Sequence, residues 1–211
     1  MKKSIIVIGG GGHAKVLIGV LKKLKNFRIV GYTDIKDKGE ILGIKHLGDD
    51  SVLSKLAVKN RTACAALGIG KTEKPDCRKS MIANLKKLGF RLPAIISPDA
   101  VVNEDVILGD ATVVFDGVVV NSGSRIGCAV ILNTNSTIEH DCTIGAFTHI
   151  APGATLSGGV EIGENSFIGA GSTIIHGTKV TSNCIVGAGS VVIRNFIKPG
   201  TFVGNPARKI R

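Results

Sequence analysis

Reading every sixth residue from position 102 returns Val102, Leu108, Val114, Val120, Ile126, Leu132, Ile138, Ile144, Ile150, Leu156, Ile162, Ile168, Ile174, Val180, Val186 and Val192, sixteen aliphatic residues in a row. Two positions earlier in each hexad the residue is small or Val, as at Ser124, Val130, Ser136, Cys142 and Thr148. The position after the aliphatic is often glycine, as at Gly109, Gly127, Gly145 and Gly163. An aliphatic, a corner and a small inward residue are the units of a hexapeptide β-helix, in which short strands wrap a narrow triangular prism. Three hexads make one coil stacked roughly 4.8 Å on the last, so the repeat predicts about five coils.

The chain before this repeat has a different period. "SIIVI" (4–8) predicts a buried strand, and 13–25 a helix with Val16, Leu17, Val20, Leu21 and Leu24 on one face. A second strand is expected at 28–34, a helix at 49–57, a third strand at 62–70 and a helix at 73–88. The order βαβαβα implies a parallel sheet. Pro93 and Pro98 bracket the change of pattern, so two domains are expected: 1–97, an α/β Rossmann-like half domain, and 98–211, a left-handed parallel β-helix.

With 211 residues and 44% hydrophobic content, the chain can bury a proper core. No apolar run reaches membrane-spanning length and no signal-peptide core is present, so a cytoplasmic protein without membrane insertion is expected. The five cysteines form no C-x-x-C pair and read as reduced residues without a structural metal. Charge is uneven: residues 1–97 carry 20 Lys and Arg against 7 Asp and Glu, or +13, and the rest 7 against 9, or −2. With one Tyr and no Trp a nucleic-acid stacking platform is lacking, and Lys22, Lys23, Lys86 and Lys87 fall on expected solvated helix faces. A phosphate-bearing small ligand is the better partner.

"GGGGHAK" (9–15) follows the first strand, and Gly9, Gly11 and Ala14 satisfy G-x-G-x-x-G/A, with Asp34 twenty residues after Ala14. That is the fingerprint whose backbone amides cradle a pyrophosphate while an acid takes a ribose hydroxyl. Read literally it indicates NAD. A half-sized domain has room for one mononucleotide unit, which suits a nucleoside diphosphate-sugar better, and a tight turn without ligand is the plainer alternative. In the repeat, "IEHDCT" (138–143) places His140 at a corner with Asp141 beside it. An imidazole titrates near neutral pH, and an adjacent carboxylate fixes its tautomer, the arrangement a general base needs. Cys142 is the rival nucleophile, but it occupies an inward slot. His140 and His176 lie two coils apart, as zinc ligands do in γ-type carbonic anhydrases. Position 181, where a third ligand would fall, is Thr, so the zinc set fails by one.

Together, "GGGGHAK", "GYTDI" (31–35), "GIGKTE" (68–73), "NTNSTIEHDCTIG" (133–145) and "GNPARK" (204–209) resemble the hexapeptide-repeat acyltransferases with a small nucleotide-binding N-terminal domain. That branch includes sialic acid O-acetyltransferases and the UDP-4-amino-sugar N-acetyltransferases of the bacillosamine pathway. The resemblance implies His140 as general base and Asp141 as the group raising its basicity, with direct transfer in a ternary complex. It implies sugar-nucleotide contacts at Gly11, Gly12, His13, Asp34, Ile35, Gly70, Lys71 and Asn133. It also implies acetyl-CoA, the co-substrate, along His149, Gly158, Ala170 and Ala188, with "GNPARK" turning the chain out of the helix to bring Arg208 near the CoA phosphates. Ile35 and Lys71 depart from the family pattern, which leaves the nucleotide base open. A homotrimer with active sites between subunits is expected, because the unbroken repeat has no loop long enough to build a cleft. The acceptor is expected to be a UDP-4-amino-4,6-dideoxy-sugar, with sialic acid the alternative. A sugar-nucleotide-binding protein without chemistry is the third class.

Overall fold

A computed structural model describes residues 2–59, 64–71 and 77–211. The chain divides into two compact units, Met1–Ser97 and Pro98–Arg211.

In the first unit, β1 (Lys3–Ile8), β2 (Phe27–Thr33) and β3 (Cys64–Leu67) form a parallel sheet in the order β2-β1-β3. Ile5, Ile6 and Val7 of β1 are fully buried, as the continuous apolar run of a covered central strand requires. Helix α1 (Gly12–Lys23) packs Ala14, Leu17, Ile18, Val20 and Leu21 inward. Val16, expected on that face, is 49% exposed, and Leu24 lies past the helix end and is half-buried. The helix is turned so that Ala14 meets β3, where a Cβ on Gly68 would come 2.7 Å from the Cβ of Ala14. Once Ala14, Leu17, Ile18 and Leu21 face the sheet, the 100° step of the helix points Val16 away. The expected helix at 49–57 divides into a 3₁₀ turn (Asp50–Val52), begun by the Asp49 carboxylate accepting from the Ser51 amide, and α2 (Leu53–Lys59). Helix α3 covers Arg78–Lys87. Residues 62–63 of the expected third strand and 73–76 of the expected last helix lie outside the described residues.

The second unit is a left-handed parallel β-helix. Its sixteen short strands recur from Val101–Val102 to Val191–Val192, and as far as Thr173–Ile174 each pairs in register with the strand eighteen residues on, as Thr137–Ile138 does with Thr155–Leu156. The aliphatic column is buried from Val114 to Val192, and so is the small column from Thr112 to Ser190. Only Val102 and Leu108, in the first coil, are half-buried. Inward hydroxyls are tolerated where they reach a corner: Ser124 Oγ donates to the carbonyl of Glu139 (2.9 Å) and accepts from the amide of Cys142 (3.2 Å), whereas Ser136 Oγ is buried without a hydrogen-bond partner. At Gly127 a Cβ would lie 2.7 Å from the next coil's Ala146 nitrogen, so the coil spacing itself excludes a side chain there. The solenoid makes about six turns where about five were expected. Gly200–Val203 adds a further rung beyond the counted hexads, pairing with Cys184–Val186. At the turn over 204–207 the chain leaves the parallel coil, and Arg208–Lys209 then folds back antiparallel on Gly200–Val203. The hairpin supplies partners to backbone groups of a rung that would otherwise be an open edge.

Candidate active site

Because β1, β2 and β3 run parallel, the segments after them share the C-terminal end of the sheet, and Gly11, Gly12, His13, Asp34, Ile35, Gly70 and Lys71 all fall there. The four glycines divide by what surrounds them. Gly9 has φ 102°, and a Cβ on Gly10 would lie 2.7 Å from the Tyr32 ring, so the fold itself needs these two. Gly11 and Gly12 have nothing within 4 Å of the Cβ position. Gly11 is the N-cap of α1, in extended conformation and with no side-chain hydrogen bond, so the first amides of a twelve-residue helix start on bare backbone. Such a terminus favours an anion.

Asp34 is committed first to holding this loop. Its Oδ2 accepts from the Gly10 amide (2.7 Å) and its Oδ1 from the Lys36 amide (3.0 Å); the Lys36 bond, with the Gly10 bond and nearby cations, holds the carboxyl below its ordinary range. Ile35 is 90% exposed. Gly70 touches His13, where a Cβ would lie 3.5 Å from the His13 Cβ, and Lys71 is buried.

Burial, then the positive charge of the fully buried Arg78, lowers the His13 pKa to about 4. An unfolded histidine titrates near 6.5, so between pH 6.5 and 4 the unfolded chain binds the extra proton. The stability contributed by neutral His13 is complete above pH 6.5 and is lost as pH falls toward 4, about 3 kcal/mol in all. Thermal melts across this window should show His13→Gln losing less stability on acidification than the parent; equal slopes would contradict a neutral His13.

In the β-helix, His140 Nδ1 lies 2.9 Å from Asp141 Oδ2, and the two side chains are 59% and 72% exposed. A carboxylate can only accept, so the proton sits on Nδ1 and Nε2 presents its lone pair. Asp141 can turn back on its neighbour because it occupies the left-handed corner at φ 59°, a conformation Asp tolerates. Cys142 is fully buried; its thiol donates to the Ser157 carbonyl (3.3 Å) and burial pushes its pKa up, which removes it as a nucleophile. Glu139, not assigned a role from sequence, accepts from Asn121 Nδ2 (2.8 Å), and Asn121 in turn accepts from Asn103 (2.7 Å). The spacing of eighteen between 103, 121 and 139 is the signal that reveals this ladder.

His149 points outward from its strand, as its place before the inward Ile150 requires, yet is 7% exposed. Phe167 of the next coil covers it edge-on, with ring centroids 5.1 Å apart. Asn133 Nδ2 meets His149 Nε2 at 3.0 Å. Asn133 Oδ1 is engaged by the Thr134 amide at 2.9 Å, which fixes the amide's orientation, so Nε2 accepts and Nδ1 of His149 carries the proton. Ala170 and Ala188 are exposed and one coil apart on this same corner. Gly158 is not with them: it lies on the neighbouring corner against His140, where a Cβ would come 2.5 Å from Nε2. Arg208 is exposed, its guanidinium donating to the Ala207 carbonyl (3.1 Å). Among the described residues no three His, Cys, Asp or Glu side chains converge as a metal site, and no helix is long and apolar enough to cross a membrane.

An α/β unit with a bare helix N-terminus, followed by a β-helix with a His/Asp corner, defines a class: this chain belongs to the hexapeptide-repeat acyltransferases that carry a PglD-type N-terminal domain. The PglD N-terminal domain family matches residues 4–85, and the bacterial transferase hexapeptide family matches 123–158 and 159–194. Among solved structures, the acetyltransferase domain of PglB from Neisseria gonorrhoeae is 35% identical, with 99% of this chain and 100% of that one covered and a TM-score of 0.92; it has also been solved with acetyl coenzyme A. PerB from Caulobacter crescentus, in complex with CoA and GDP-perosamine, is 35% identical over 98% of this chain and 96% of that one, with a TM-score of 0.90. The protein is an acyltransferase.

Proposed function

We propose that this protein transfers the acetyl group of acetyl-CoA to the 4-amine of a UDP-4-amino-4,6-dideoxy-sugar, directly and with His140 as general base, for surface glycan synthesis. The observation that carries this reading is the His140–Asp141 pair: its tautomer leaves a basic Nε2 on an exposed corner. In the reaction the amine nitrogen bonds to the acetyl carbon, His140 Nε2 takes the amine's proton, and the carbon–sulfur bond breaks to release CoA as its thiolate, which takes that proton back from the imidazolium and leaves as the thiol. Asp141 steadies the imidazolium that forms. An amine needs less activation than a hydroxyl, and the carboxylates of Glu139 and Asp141 at this corner disfavour an acceptor that brings a carboxylate of its own.

Gly11 and Gly12 leave room for the pyrophosphate, and the relatives' structures with acetyl coenzyme A, or with CoA and GDP-perosamine, support both ligand classes. His140 and Asp141 occupy one corner of the prism, whereas Asn133, Ala170 and Ala188 occupy the next, a full face away. One chain therefore does not wrap a ligand with both sets. A homotrimer, in which corners of neighbouring subunits face each other, does so with cytoplasmic acetyl-CoA as donor. Thermal shift tests the reading: acetyl-CoA and the UDP-amino-sugar should each raise the melting temperature, and together raise it further. A protein answering to the sugar nucleotide alone would be a binding protein, and a monomer with full turnover in sedimentation equilibrium would end the trimer reading.

A further inference from the structure

The corner that carries His140 recurs every eighteen residues, and its equivalent positions are Glu104, Ser122, His140, Gly158, His176 and Arg194. Long, short, charged and aromatic side chains are all accepted there, so the coil does not ask for glycine at this place. The backbone does not ask for it either: Gly159 has φ 68°, but Gly158 is not among the residues at positive φ. What sets Gly158 apart is the ring lying over it. A Cβ on Gly158 would come 2.5 Å from Nε2, 2.7 Å from Cε1 and 3.2 Å from Cδ2 of His140, all well inside the normal contact distance of about 3.5–4.0 Å. On the other side of the dyad, Asp141 Oδ1 lies against Gly123 of the preceding coil, where an added Cβ would also collide.

We propose that Gly158 is a positioning residue for the base: its missing side chain is the seat on which the His140 imidazole lies, with Nε2 closest to it and Nδ1 held by Asp141. The inference rests on the reading of His140 as general base and adds what keeps that ring in place. An alanine here forces the ring to turn about its side-chain torsions, and the 2.9 Å bond from Nδ1 to Asp141 cannot survive a large turn. Clearing space for the acetyl-CoA arm is a different role for the same glycine, and it predicts a different defect, confined to acetyl-CoA affinity.

The test is Gly158→Ala, measured alone and in a His140→Ala background. Alone, kcat should fall about tenfold to a hundredfold, the scale of a displacement near 1 Å, while the KM for acetyl-CoA and the melting temperature stay at the parent's values. The imidazole ¹⁵N–¹H signal of His140 should lose the shift of its Asp141 hydrogen bond. In the His140→Ala background the same substitution should change kcat no further, since the two residues act as one unit. Parent-like kcat with an unmoved imidazole signal would overturn the proposal. So would a loss that persists undiminished without His140, or one that falls wholly on the KM for acetyl-CoA. If His140→Ala kept full turnover while the imidazole signal still moved in Gly158→Ala, the base assignment would fail and the seat would stand.

Discussion

Replacing His140 with alanine should lower kcat by about a hundredfold to ten-thousandfold, the usual worth of a positioned general base. The side chain is mostly solvent-exposed, so the variant should fold and melt as the parent does. Its KM for either substrate should change little, because the imidazole is asked to act on a proton and not to hold a ligand. Asp141→Ala should cost less, since Nε2 remains and only its tautomer and the imidazolium lose support. Steady-state kinetics of the two variants decide the matter: a His140→Ala enzyme within a few-fold of the parent, with Cys142→Ala inactive, would instead indicate an acetyl-enzyme on a buried thiol.

A valine at Gly11 should raise the KM for the nucleotide sugar about a hundredfold while leaving the melting temperature where it is. The first half of this expectation follows from the amides at the start of α1. Charge-assisted hydrogen bonds of this kind are each worth about 1.5–3 kcal/mol, and an isopropyl group standing over the helix terminus denies a phosphate that approach. The second half follows from the open space around Gly11, whose extended backbone suits valine. Gly10→Val is the contrasting variant. There the new atoms run into Tyr32 and Asp34, so the fold should be destabilised outright. Substrate-saturation curves set beside thermal melts separate the two: a destabilised Gly11→Val, or one with parental KM, would show that this glycine serves the turn and not a ligand.

The β-helix was readable in the sequence almost residue by residue, because an inward column must be aliphatic at each coil and the prism interior admits little else. Positions 114 to 192 show this directly. His140 and Asp141 were readable for a related reason: polar residues at a corner, next to an inward Ile138 and an inward Cys142, have nowhere to go but out. What the sequence concealed depends on stacking between coils. That Gly158 lies under an imidazole, that Phe167 covers His149, and that Asn121 holds Glu139 are relations over eighteen residues, visible only once the register is known. Val16 was misplaced because a helix with apolar residues on more than one side can be turned several ways, and the close meeting of Ala14 with Gly68 decided between them. Asp34 carried a ribose role in its motif, but a carboxylate two peptide amides can reach is first drawn to the loop. The fold-back at Arg208 has no periodic signature, since it answers to the open edge of the last rung.

The central claim is the chemistry of acceptance: an amine on a nucleotide-linked sugar takes the acetyl group. It is tested most directly by following release of the free CoA thiol from acetyl-CoA with a panel of UDP-, GDP- and dTDP-linked 4-amino-sugars, their 4-hydroxy counterparts, and free and CMP-linked sialic acid. Turnover should be robust with the UDP-linked 4-amino-4,6-dideoxy-sugar and absent with its 4-hydroxy counterpart. Turnover with sialic acid and none with any amino-sugar would contradict the account.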